Sequence, residues 1–583
     1  MGIVKRSGAF MDIEKVRHHL GLIYPECDCE TLSDKAIAAF GVGADNAVAR
    51  FDCLWNEKDV LMITYGDTFL YENELPLRTL KRFLDSYLGD LFSGVHVLPF
   101  FPYTSDDGFA VCDYDTVRPD LGDWSDIQEI AADYRLMADV VINHASASHD
   151  WFKQFKQGQK PGVDYIKTAE PDDDLSHVVR PRPFALLRET QTTDGVKQVW
   201  CTFSHDQVDL DFSNPDLLLE FLSIMGRYID AGVRIFRLDA IAFLWKEVAS
   251  SSIHLPQTHE IVKLMRTLAD MRDETIILIT ETNVPNHENL QYFGNANEAH
   301  IVYNFSLPPL LLHALLSGRS EHLRRWLSEV PPLQNGCTYL NFTASHDGIG
   351  LRPAVGLLSQ DDIDQMLDAV NMSGGRVTTR TAREGGEKPY EMNITYFDAL
   401  KGTLEGPDAF QFERFIASQT IMMSLRGIPA FYVHSLLGTE NDLDRLQRTG
   451  HNRSINRHQW DYAILSGHLS TAQSHHARVF NELRRRIGIR IGQPAFHPDA
   501  TQYVIQPQSG FFGFVRQNVA ADQRIYCITN LQKAVRTLSL IDLNLDATCI
   551  WHDLLSDTML EAEQDHMDLA PYQTLWLCEK NDC

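Results

Sequence analysis

The segment "GVRIFRLDAIAFLWKE" (residues 232–247) begins as a buried β-strand and then departs from the pattern of one. Its apolar residues are typical of a parallel strand that is covered on both faces. Arg237 and Asp239 nevertheless lie within the same run. Because alternate residues of a strand share a face, both charges are predicted to point inward with Val233 and Ile235. Burying ions is costly, so a functional role is favoured, with a structural Arg–Asp pair as the alternative.

Seven further apolar runs have the length and composition of strands. They are residues 59–67, 94–102, 135–144, 275–282, 299–305, 338–347 and 427–435. Helical patterns such as 214–231 and 259–271 lie between most of them. Eight βα units predict an α/β fold built on a parallel (β/α)8 barrel of the TIM type. An open doubly wound sheet is the alternative, but no GxGxxG motif follows the first strand.

Two connections are too long to be plain loops. They follow the third and seventh strands and are predicted to be inserted subdomains, called here the first insert (145–213) and the second insert (348–400). Both leave the barrel at the strand ends where barrel enzymes build their sites. The remaining predicted parts are a helical N-terminal extension (1–57) that packs on the barrel or caps it, three barrel segments (58–144, 214–347 and 401–493) and an antiparallel β-domain (494–583).

Charge and composition exclude several classes of partner. The 583 residues carry a net charge of −27, which argues against nucleic acid or an anionic membrane surface. No apolar run has the length of a membrane span, and the N-terminus lacks the apolar core of a signal peptide. A cytoplasmic protein is therefore expected. The cysteines form no CxxC pair, so no zinc site is predicted.

Acidic and histidine side chains end several of the predicted strands. Glu281 ends the fifth strand, His346 and Asp347 end the seventh, and His144 ends the third. Because the carboxyl ends of barrel strands meet at one rim, these side chains are predicted to converge with Asp239.

A cluster of acids without paired cysteines suits a hard-metal site or glycosyl transfer. Glycosyl transfer needs one carboxylate as nucleophile and another kept protonated as general acid. Arg237 is expected to lower the pKa of Asp239, whereas Glu281 has no cation next to it in sequence and is expected to have a raised pKa. This asymmetry favours glycosyl transfer, and no bound metal is predicted. A calcium ion at Asn143 is the minor alternative.

Four segments resemble the signature regions of glycoside hydrolase family 13, the α-amylase family: "DVVINH", "VRIFRLDA", "ILITETN" and "FTASHD". Others, among them "GVHVLPFFPYTSDDGF", "VVRPRPF", "HDGIGL" and "INRH", resemble its sucrose-phosphorylase group. The resemblance covers about residues 59–494. It implies a covalent β-glucosyl intermediate on Asp239, with Glu281 as general acid and base and Asp347 as the group that stabilises the transition state.

The same resemblance implies a set of sugar-binding residues. They are Asp106, Phe109, His144, Arg237, His346 and Arg457. Asp106 is preferred to Asp107 because it matches the family's D-x-G-F pattern, and Arg457 is expected to lie beside it. Phe109 is expected to stack on or near the sugar, with ordinary packing as the alternative.

A phosphorylase must hold a phosphate dianion near two carboxylates, and a guanidinium on a mobile loop suits that task. "HVVRPRPF" (177–184) offers Arg180 and Arg182, of which the resemblance favours Arg182. In the second insert, Tyr390 and Glu391 are candidates to touch the leaving group. Glu391 would repel an acidic acceptor, a repulsion that nearby basic residues would offset: Arg376, Arg380, Arg383 and Lys388.

Within the sucrose-phosphorylase group the chain looks most like the enzymes that act on glucosylglycerate. The resemblance therefore implies conversion of 2-O-α-glucosylglycerate and phosphate to α-glucose 1-phosphate and glycerate. Phosphate would be a co-substrate, no cofactor is expected, and the enzyme would be a monomer or homodimer. The alternatives are phosphorolysis of sucrose, sucrose 6′-phosphate or glucosylglycerol, or a hydrolase or transglucosidase. A non-catalytic barrel is disfavoured, because the chain keeps all three acids.

Overall fold

The computed structural model describes residues 2–44, 51–182, 184–381, 386–545, 549–560 and 564–579. At its centre lies a closed barrel of eight parallel strands. They are β1 (Leu61–Thr64), β2 (Gly94–Val97), β3 (Arg135–Val141), β4 (Val233–Asp239), β5 (Ile277–Thr280), β6 (Ile301–Tyr303), β7 (Thr338–Asn341) and β8 (Ile428–Tyr432). The ring closes where β1 pairs with β8, Leu61 opposite Ala430. All residues of these strands are buried, and the predicted barrel is confirmed.

The strands end earlier than predicted. β3 ends at Val141 and β7 at Asn341, so His144 and Asp347 lie in the connections that follow, not at strand ends. His144 instead begins a short strand, His144–Ser146, that pairs antiparallel with Gln207–Asp209 in the first insert. Hydrogen bonding to the insert therefore replaces pairing within the barrel at this point.

Helices surround the barrel and follow most of its strands. The longer ones are Pro76–Phe83, Trp124–Asp133, Pro215–Asp230, Pro256–Arg272, Leu307–Ser317, Glu321–Glu329, Gln411–Ser424, Tyr462–Ser470 and His475–Arg490, and the shorter ones are Asn286–Asn289, Val433–Leu436 and Leu443–Thr449. Three of the longer helices begin with proline, which is preorganised for the first helical position. The connection from β5 to β6 holds only Asn286–Asn289 and a 3₁₀ turn, so this βα unit lacks a long helix.

The N-terminal extension contributes two helices, Gly2–Ile23 and Cys29–Ala39. They pack against the barrel helices that follow β3 and β4. His19 Nδ1 lies 2.9 Å from Glu260 Oε2, and the Tyr24 hydroxyl donates to the backbone oxygen of Phe212 at 2.8 Å. Packing on the barrel is thus the arrangement adopted by the described part of the extension.

Both long connections contain secondary structure of their own. The first insert carries helices Asp150–Lys156 and Gly162–Tyr165 and a small antiparallel sheet of Thr168–Ala169, Leu187–Thr192 and Gly195–Trp200. The second insert carries helix Gln360–Met372 and a hairpin of Arg376–Thr381 and Glu387–Asn393, which Ile349–Gly350 extends to three strands. Arg383 lies outside the described residues.

The C-terminal part is an antiparallel β-domain with a separate apolar core. Its strands are Thr501–Ile505, Phe511–Gln517, Arg524–Asn530, Arg536–Ser539, Trp551–Asp553, Thr558–Met559, His566–Leu569 and Thr574–Glu579. Among the described residues of the whole chain, no helix has both the length and the apolar character that crossing a membrane requires.

Candidate active site

A pocket of about 680 Å³ lies among the connections that follow the barrel strands. Asp239, Glu281 and Asp347 line it together, although Asp239 ends β4 and the other two lie in the connections after β5 and β7. The first insert adds Arg182 to the wall and the second insert adds Tyr390. The three acids that the sequence singles out therefore share one pocket.

Arg237 is held between two carboxylates inside the barrel. Its Nη1 donates to Asp239 Oδ1 at 2.6 Å and to Asp139 Oδ1 at 2.5 Å. Asp139 Oδ2 also lies 2.7 Å from His96 Nε2 on β2. The sequence analysis did not single out Asp139, although it lies on β3 directly opposite Arg237. Its position inside an apolar strand, the same signal that marked Arg237, would have identified it. Two carboxylates thus compensate the buried guanidinium.

Asp239 is the last residue of β4 and is buried. Burial raises the pKa of Asp239 above its ordinary value, while the Arg237 guanidinium opposes the rise. The expectation that this pKa is lowered was wrong, because desolvation of the carboxylate outweighs the neighbouring cation. The chain turns sharply after it, since Ala240 has a left-handed backbone with φ of 50°. Strained backbone of this kind concentrates at functional sites.

Glu281 follows β5 and lies beside the Asp239 turn. Its Oε2 accepts a hydrogen bond of 3.1 Å from the Ala240 amide and lies 4.0 Å from Arg237 Nη2. Burial raises the pKa of Glu281 to about 7; Arg237 opposes this rise, and the negative charges of Asp239 and Asp347 add to it. The predicted rise in pKa is confirmed. Glu281 is thus the acid in the pocket suited to carry a proton near neutral pH.

Asp347 is held as an anion by an arginine that the sequence analysis missed. Burial alone would raise the pKa of Asp347, but the guanidinium of Arg453 lowers it below its ordinary value. Arg453 Nη1 lies 2.5 Å from Asp347 Oδ1. The amide of Asn456 donates to the backbone oxygen of Asp347 at 2.8 Å and so holds the connection in place.

Arg453 also lies 3.8 Å from Asp106, which lines the pocket as expected. Arg457 lies near Asp106, whose negative charge helps to raise the pKa of Arg457, but it neither pairs with Asp106 nor lines this pocket. Arg457 Nη1 instead lies 2.5 Å from Asp107 Oδ2, and the two line a neighbouring depression. Both arginines belong to the turn around Asn452–Asn456, where residues four apart do not face the same side. Arg453 lies two residues before the "INRH" motif (455–458) that contains Arg457, and only the fold distinguishes the roles of the two arginines.

Phe109, His144 and His346 also line the pocket. The ring of Phe109 stacks on His346 with centroids 4.8 Å apart, and the Arg237 guanidinium carbon lies 5.5 Å from its centroid. His144 Nε2 lies 2.9 Å from the backbone oxygen of Phe109. Arg457 Nε donates to the backbone oxygen of His346 at 2.9 Å. Phe109 therefore packs against the site residues while it lines the pocket, and its contact with a sugar stays a prediction.

Arg182 and Tyr390 meet over the pocket from the two inserts. The guanidinium carbon of Arg182 lies 5.4 Å from the centroid of the Tyr390 ring, a cation–π distance. Arg180 is not among the lining residues. Arg182, rather than Arg180, therefore places a cation in the wall of the pocket that Glu281 and Asp347 also line.

Glu391 does not line the pocket, although the sequence made it a candidate to do so. It is 1% exposed and accepts from Arg453 at 3.0 Å from Nε and 2.8 Å from Nη2. Neighbouring residues of a strand point to opposite faces, so Tyr390 faces the pocket and Glu391 faces away from it. Instead Glu391 holds Arg453 in place.

An ammonium group occupies the oxygen cluster around Asn143. Lys246 Nζ donates to Asn143 Oδ1 at 2.9 Å and to the backbone oxygens of Leu210 and Leu244 at 3.4 and 3.3 Å. It lies 3.4 Å from Asp209 Oδ2. Burial lowers the pKa of Lys246, and Asp209 opposes this. Lys246 thus supplies the positive charge that these oxygens require.

One group of side chains elsewhere has ligands of metal-binding type. The potential ligand atoms of His313, His322 and Asp362 lie within 4.8 Å of one another. Arg319 Nη2 already donates to Asp362 Oδ1 at 2.7 Å and lies 3.3 Å from His313 Nε2. A cation of the chain itself therefore compensates this cluster.

Comparison with known proteins places the chain among sugar-processing enzymes. Residues 84–332 match the family model described as "Alpha amylase, catalytic domain". The chain is 42% identical over 533 residues to the glucosylglycerate phosphorylase of Spirochaeta thermophila, covering 90% of each chain. It is 39% identical over 568 residues to the glucosylglycerate phosphorylase of Allomeiothermus silvanus, covering 97% of this chain and 98% of the relative.

Among solved structures, the sucrose 6F-phosphate phosphorylase from Thermoanaerobacter thermosaccharolyticum has the same fold. Its TM-score is 0.72 at 22% sequence identity, and the match covers 88% of this chain and 98% of that structure.

Proposed function

Because the chain belongs to the α-amylase family, we propose that its pocket catalyses retaining phosphorolysis of 2-O-α-glucosylglycerate, giving α-glucose 1-phosphate and glycerate. The observation that carries the proposal is the meeting of Asp239, Glu281 and Asp347 in one pocket whose wall includes Arg182 and Tyr390. Relatives that span nearly the whole chain are named for this reaction.

In the first half of the reaction, Asp239 attacks the anomeric carbon and Glu281 gives its proton to the glycosidic oxygen. Glycerate leaves with that proton, and the glucosyl unit remains bound to Asp239 through an ester bond. A pKa of about 7 keeps a substantial part of Glu281 protonated near neutral pH. Asp347, kept anionic by Arg453, stabilises the positive charge that develops on the sugar ring.

In the second half, phosphate replaces glycerate beside the glucosyl ester. An oxygen of hydrogen phosphate attacks the anomeric carbon, its proton passes to the now anionic Glu281, and the bond to Asp239 breaks. Arg182 offsets the repulsion between the incoming dianion and the carboxylates of Glu281 and Asp347. Because the anomeric carbon is inverted twice, the product is the α-anomer.

The net charge of −27 agrees with small-molecule substrates rather than nucleic acid or an anionic membrane surface. We place the enzyme in the cytoplasm as a monomer or homodimer without a cofactor.

The direct test supplies α-glucose 1-phosphate with glycerate, glycerol, fructose or fructose 6-phosphate in turn and measures phosphate release. We expect glycerate to be the best acceptor. In the forward direction, proton NMR is expected to show α-glucose 1-phosphate that forms only when phosphate is present. A faster reaction with fructose or glycerol would contradict the proposed acceptor, and β-glucose 1-phosphate would exclude the two-step route.

A further inference from the structure

A fourth arginine of the pocket has no part in the steps described above. Arg352 lies in the second insert, at the start of the 3₁₀ turn Arg352–Ala354, and lines the same pocket as Glu281. Its side chain is 18% exposed. The basic residues that the sequence offered near the acceptor lie later in this insert, at Arg376, Arg380 and Lys388, and none of these lines the pocket.

Each of the other pocket arginines has a place in the proposed site. Arg237 donates to Asp139 and Asp239, and Arg453 is bound to Asp347 and Glu391. Arg182 lies over Tyr390, where the proposed reaction uses it for phosphate. Arg352 is therefore the pocket cation whose purpose the proposed reaction leaves open.

The segment that carries Arg352 lies directly against the segment that follows Glu281. Gly350 approaches Asn283 so closely that a Cβ added at Gly350 would lie 3.0 Å from the Asn283 side-chain amide. Asn283 lines the pocket. Among the described residues, its Oδ1 has no hydrogen-bond partner although it is buried. A cation and an unsatisfied amide oxygen thus lie on neighbouring segments of the pocket wall, next to the proposed general acid Glu281.

An acidic residue positions the Arg352 guanidinium. Arg352 Nη2 lies 3.9 Å from Glu288 Oε2, and the same oxygen lies 3.1 Å from His254 Nε2. His254 Nδ1 in turn lies 2.9 Å from the Tyr292 hydroxyl. These contacts hold the Arg352 guanidinium in place in the wall of the pocket.

The chemistry of the leaving group matches this arrangement. In a 2-O-glucosylated hydroxy acid, the carboxylate is attached to the carbon that bears the glycosidic oxygen. Once Glu281 is placed at that oxygen, the carboxylate must lie close to Glu281. A guanidinium binds a carboxylate with two parallel hydrogen bonds, and the Asn283 oxygen is able to accept from a further hydroxyl of the acceptor.

We propose that Arg352 binds the carboxylate of the acceptor, so that the pocket selects small 2-hydroxy acids over neutral polyols, with Asn283 accepting from a neighbouring hydroxyl. This proposal rests on the proposed function and deepens it. Under this proposal two arginines bind the two anions of the reaction: Arg182 binds phosphate, and Arg352 binds the carboxylate of the hydroxy acid.

The test compares Arg352→Gln with wild type in synthesis from α-glucose 1-phosphate, using glycerate, lactate and glycerol as acceptors. We expect kcat/KM for glycerate and lactate to fall about 10- to 100-fold, the usual loss for a charged hydrogen bond. The value for glycerol is expected to change by less than about threefold, since glycerol has no carboxylate. Arg352→Lys is expected to recover part of the loss, because it keeps the charge but not the two-pronged geometry.

Two controls isolate the effect. Arg376→Gln removes an exposed arginine of the same insert, whose Nη1 donates only to backbone oxygens of residues 374 and 375, and is expected to match wild type. Phosphorolysis of α-glucosyl fluoride reports phosphate use without any acceptor, and Arg352→Gln is expected to keep it within about threefold.

The outcomes separate the two proposals. Equal losses with glycerate and glycerol, or an equal loss with phosphate on α-glucosyl fluoride, would overturn the role of Arg352 and leave the proposed reaction standing. A wild-type enzyme that prefers glycerol to both hydroxy acids would overturn the acceptor assignment itself, and with it the selection by Arg352.

Discussion

Arg237 Nη1 lies 2.6 Å from Asp239 Oδ1, two residues further along the same barrel strand. The strand places both side chains inside the barrel, and Asp139 holds the guanidinium from the neighbouring strand. The pair orients the Asp239 carboxylate at the pocket floor while Glu281 lies further from the same cation, at 4.0 Å. The negative charge is therefore better stabilised on Asp239, and the proton is better kept on Glu281.

Asp239→Asn is expected to lower kcat for phosphorolysis by about 10³-fold or more, because an amide cannot form the glucosyl ester. Initial rates of α-glucose 1-phosphate formation measure the loss. Asp150→Asn removes an exposed carboxylate of the first insert and serves as the control. An Asp239→Asn enzyme that keeps a tenth of wild-type activity would show that another group attacks the sugar.

The pH profile depends on Glu281. Since its pKa is raised to about 7, the protonated acid is lost as pH rises through that value. We expect kcat/KM for the glucoside to fall about tenfold per pH unit well above pH 7. Glu281→Gln is expected to lower the maximum by 10²- to 10⁴-fold and to abolish this limb. The activity of Glu281→Gln on α-glucosyl fluoride, whose leaving group needs no proton, is expected to fall much less. An unchanged alkaline limb in the variant would assign the titration to another group.

The same shift predicts a stability change. A carboxyl group whose pKa is higher in the folded than in the unfolded chain stabilises the fold below its unfolded pKa, and that contribution is lost as pH rises through about 7. As pH rises from 5 to 8, the free energy of unfolding of wild type is therefore expected to fall by roughly 1–3 kcal/mol relative to that of Glu281→Gln. Thermal unfolding at both pH values measures it. A difference that is independent of pH would contradict the raised pKa.

The barrel and its three acids were predictable from sequence because strand periodicity and strand ends are local signals. Which side chains pair with each other could not be predicted from sequence. Arg453 and Arg457 lie four residues apart, and only the turn between them decides that Arg453 contacts Asp347 while Arg457 contacts Asp107. The direction of the Asp239 pKa shift also needed the fold, because the extent of burial, not the neighbouring charge, determines it.

Arg182→Gln is expected to weaken phosphate use more than hydrolysis, because only the phosphate step brings a dianion toward Glu281 and Asp347. With α-glucosyl fluoride as donor, we expect the KM for phosphate to rise about 10- to 100-fold. Release of free glucose in the absence of phosphate is expected to stay within about threefold. Arg180→Gln, which alters an arginine outside the pocket lining, is the matched control. Equal losses in both reactions would remove Arg182 from the phosphate site.

Arg453 is expected to matter more than Arg457 for sugar binding, since it alone of the two lines the pocket. Arg453→Gln leaves the buried carboxylates of Asp347 and Glu391 without their cation, so kcat/KM is expected to fall at least 10²-fold. The double variant Arg453→Gln/Glu391→Gln is expected to regain thermal stability but not activity. Recovery of activity in the double variant would show that Arg453 acts only through Glu391.

Lys246 offers a test of how the first insert is attached to the barrel. Its ammonium joins Asn143 after β3 to Asp209 in the insert and to two backbone oxygens. Lys246→Met is expected to cost about 3–5 kcal/mol, because it leaves the Asp209 carboxylate buried without a cation. Lys246→Met/Asp209→Asn is expected to recover part of this cost. Lys153→Met, which removes an exposed pair with Asp150, is expected to cost less than about 1 kcal/mol.

Thermal unfolding of the four proteins, with and without a chelator, measures these differences. Because the lysine itself supplies the charge that the oxygens around Asn143 require, the chelator is expected to leave the wild-type melting temperature unchanged. Calcium is not expected to stabilise it. A wild type that the chelator destabilises to the level of Lys246→Met would show that a metal ion, not the ammonium, holds the insert. Equal stability of Lys246→Met and Lys153→Met would show that the buried contacts contribute no more than a surface pair.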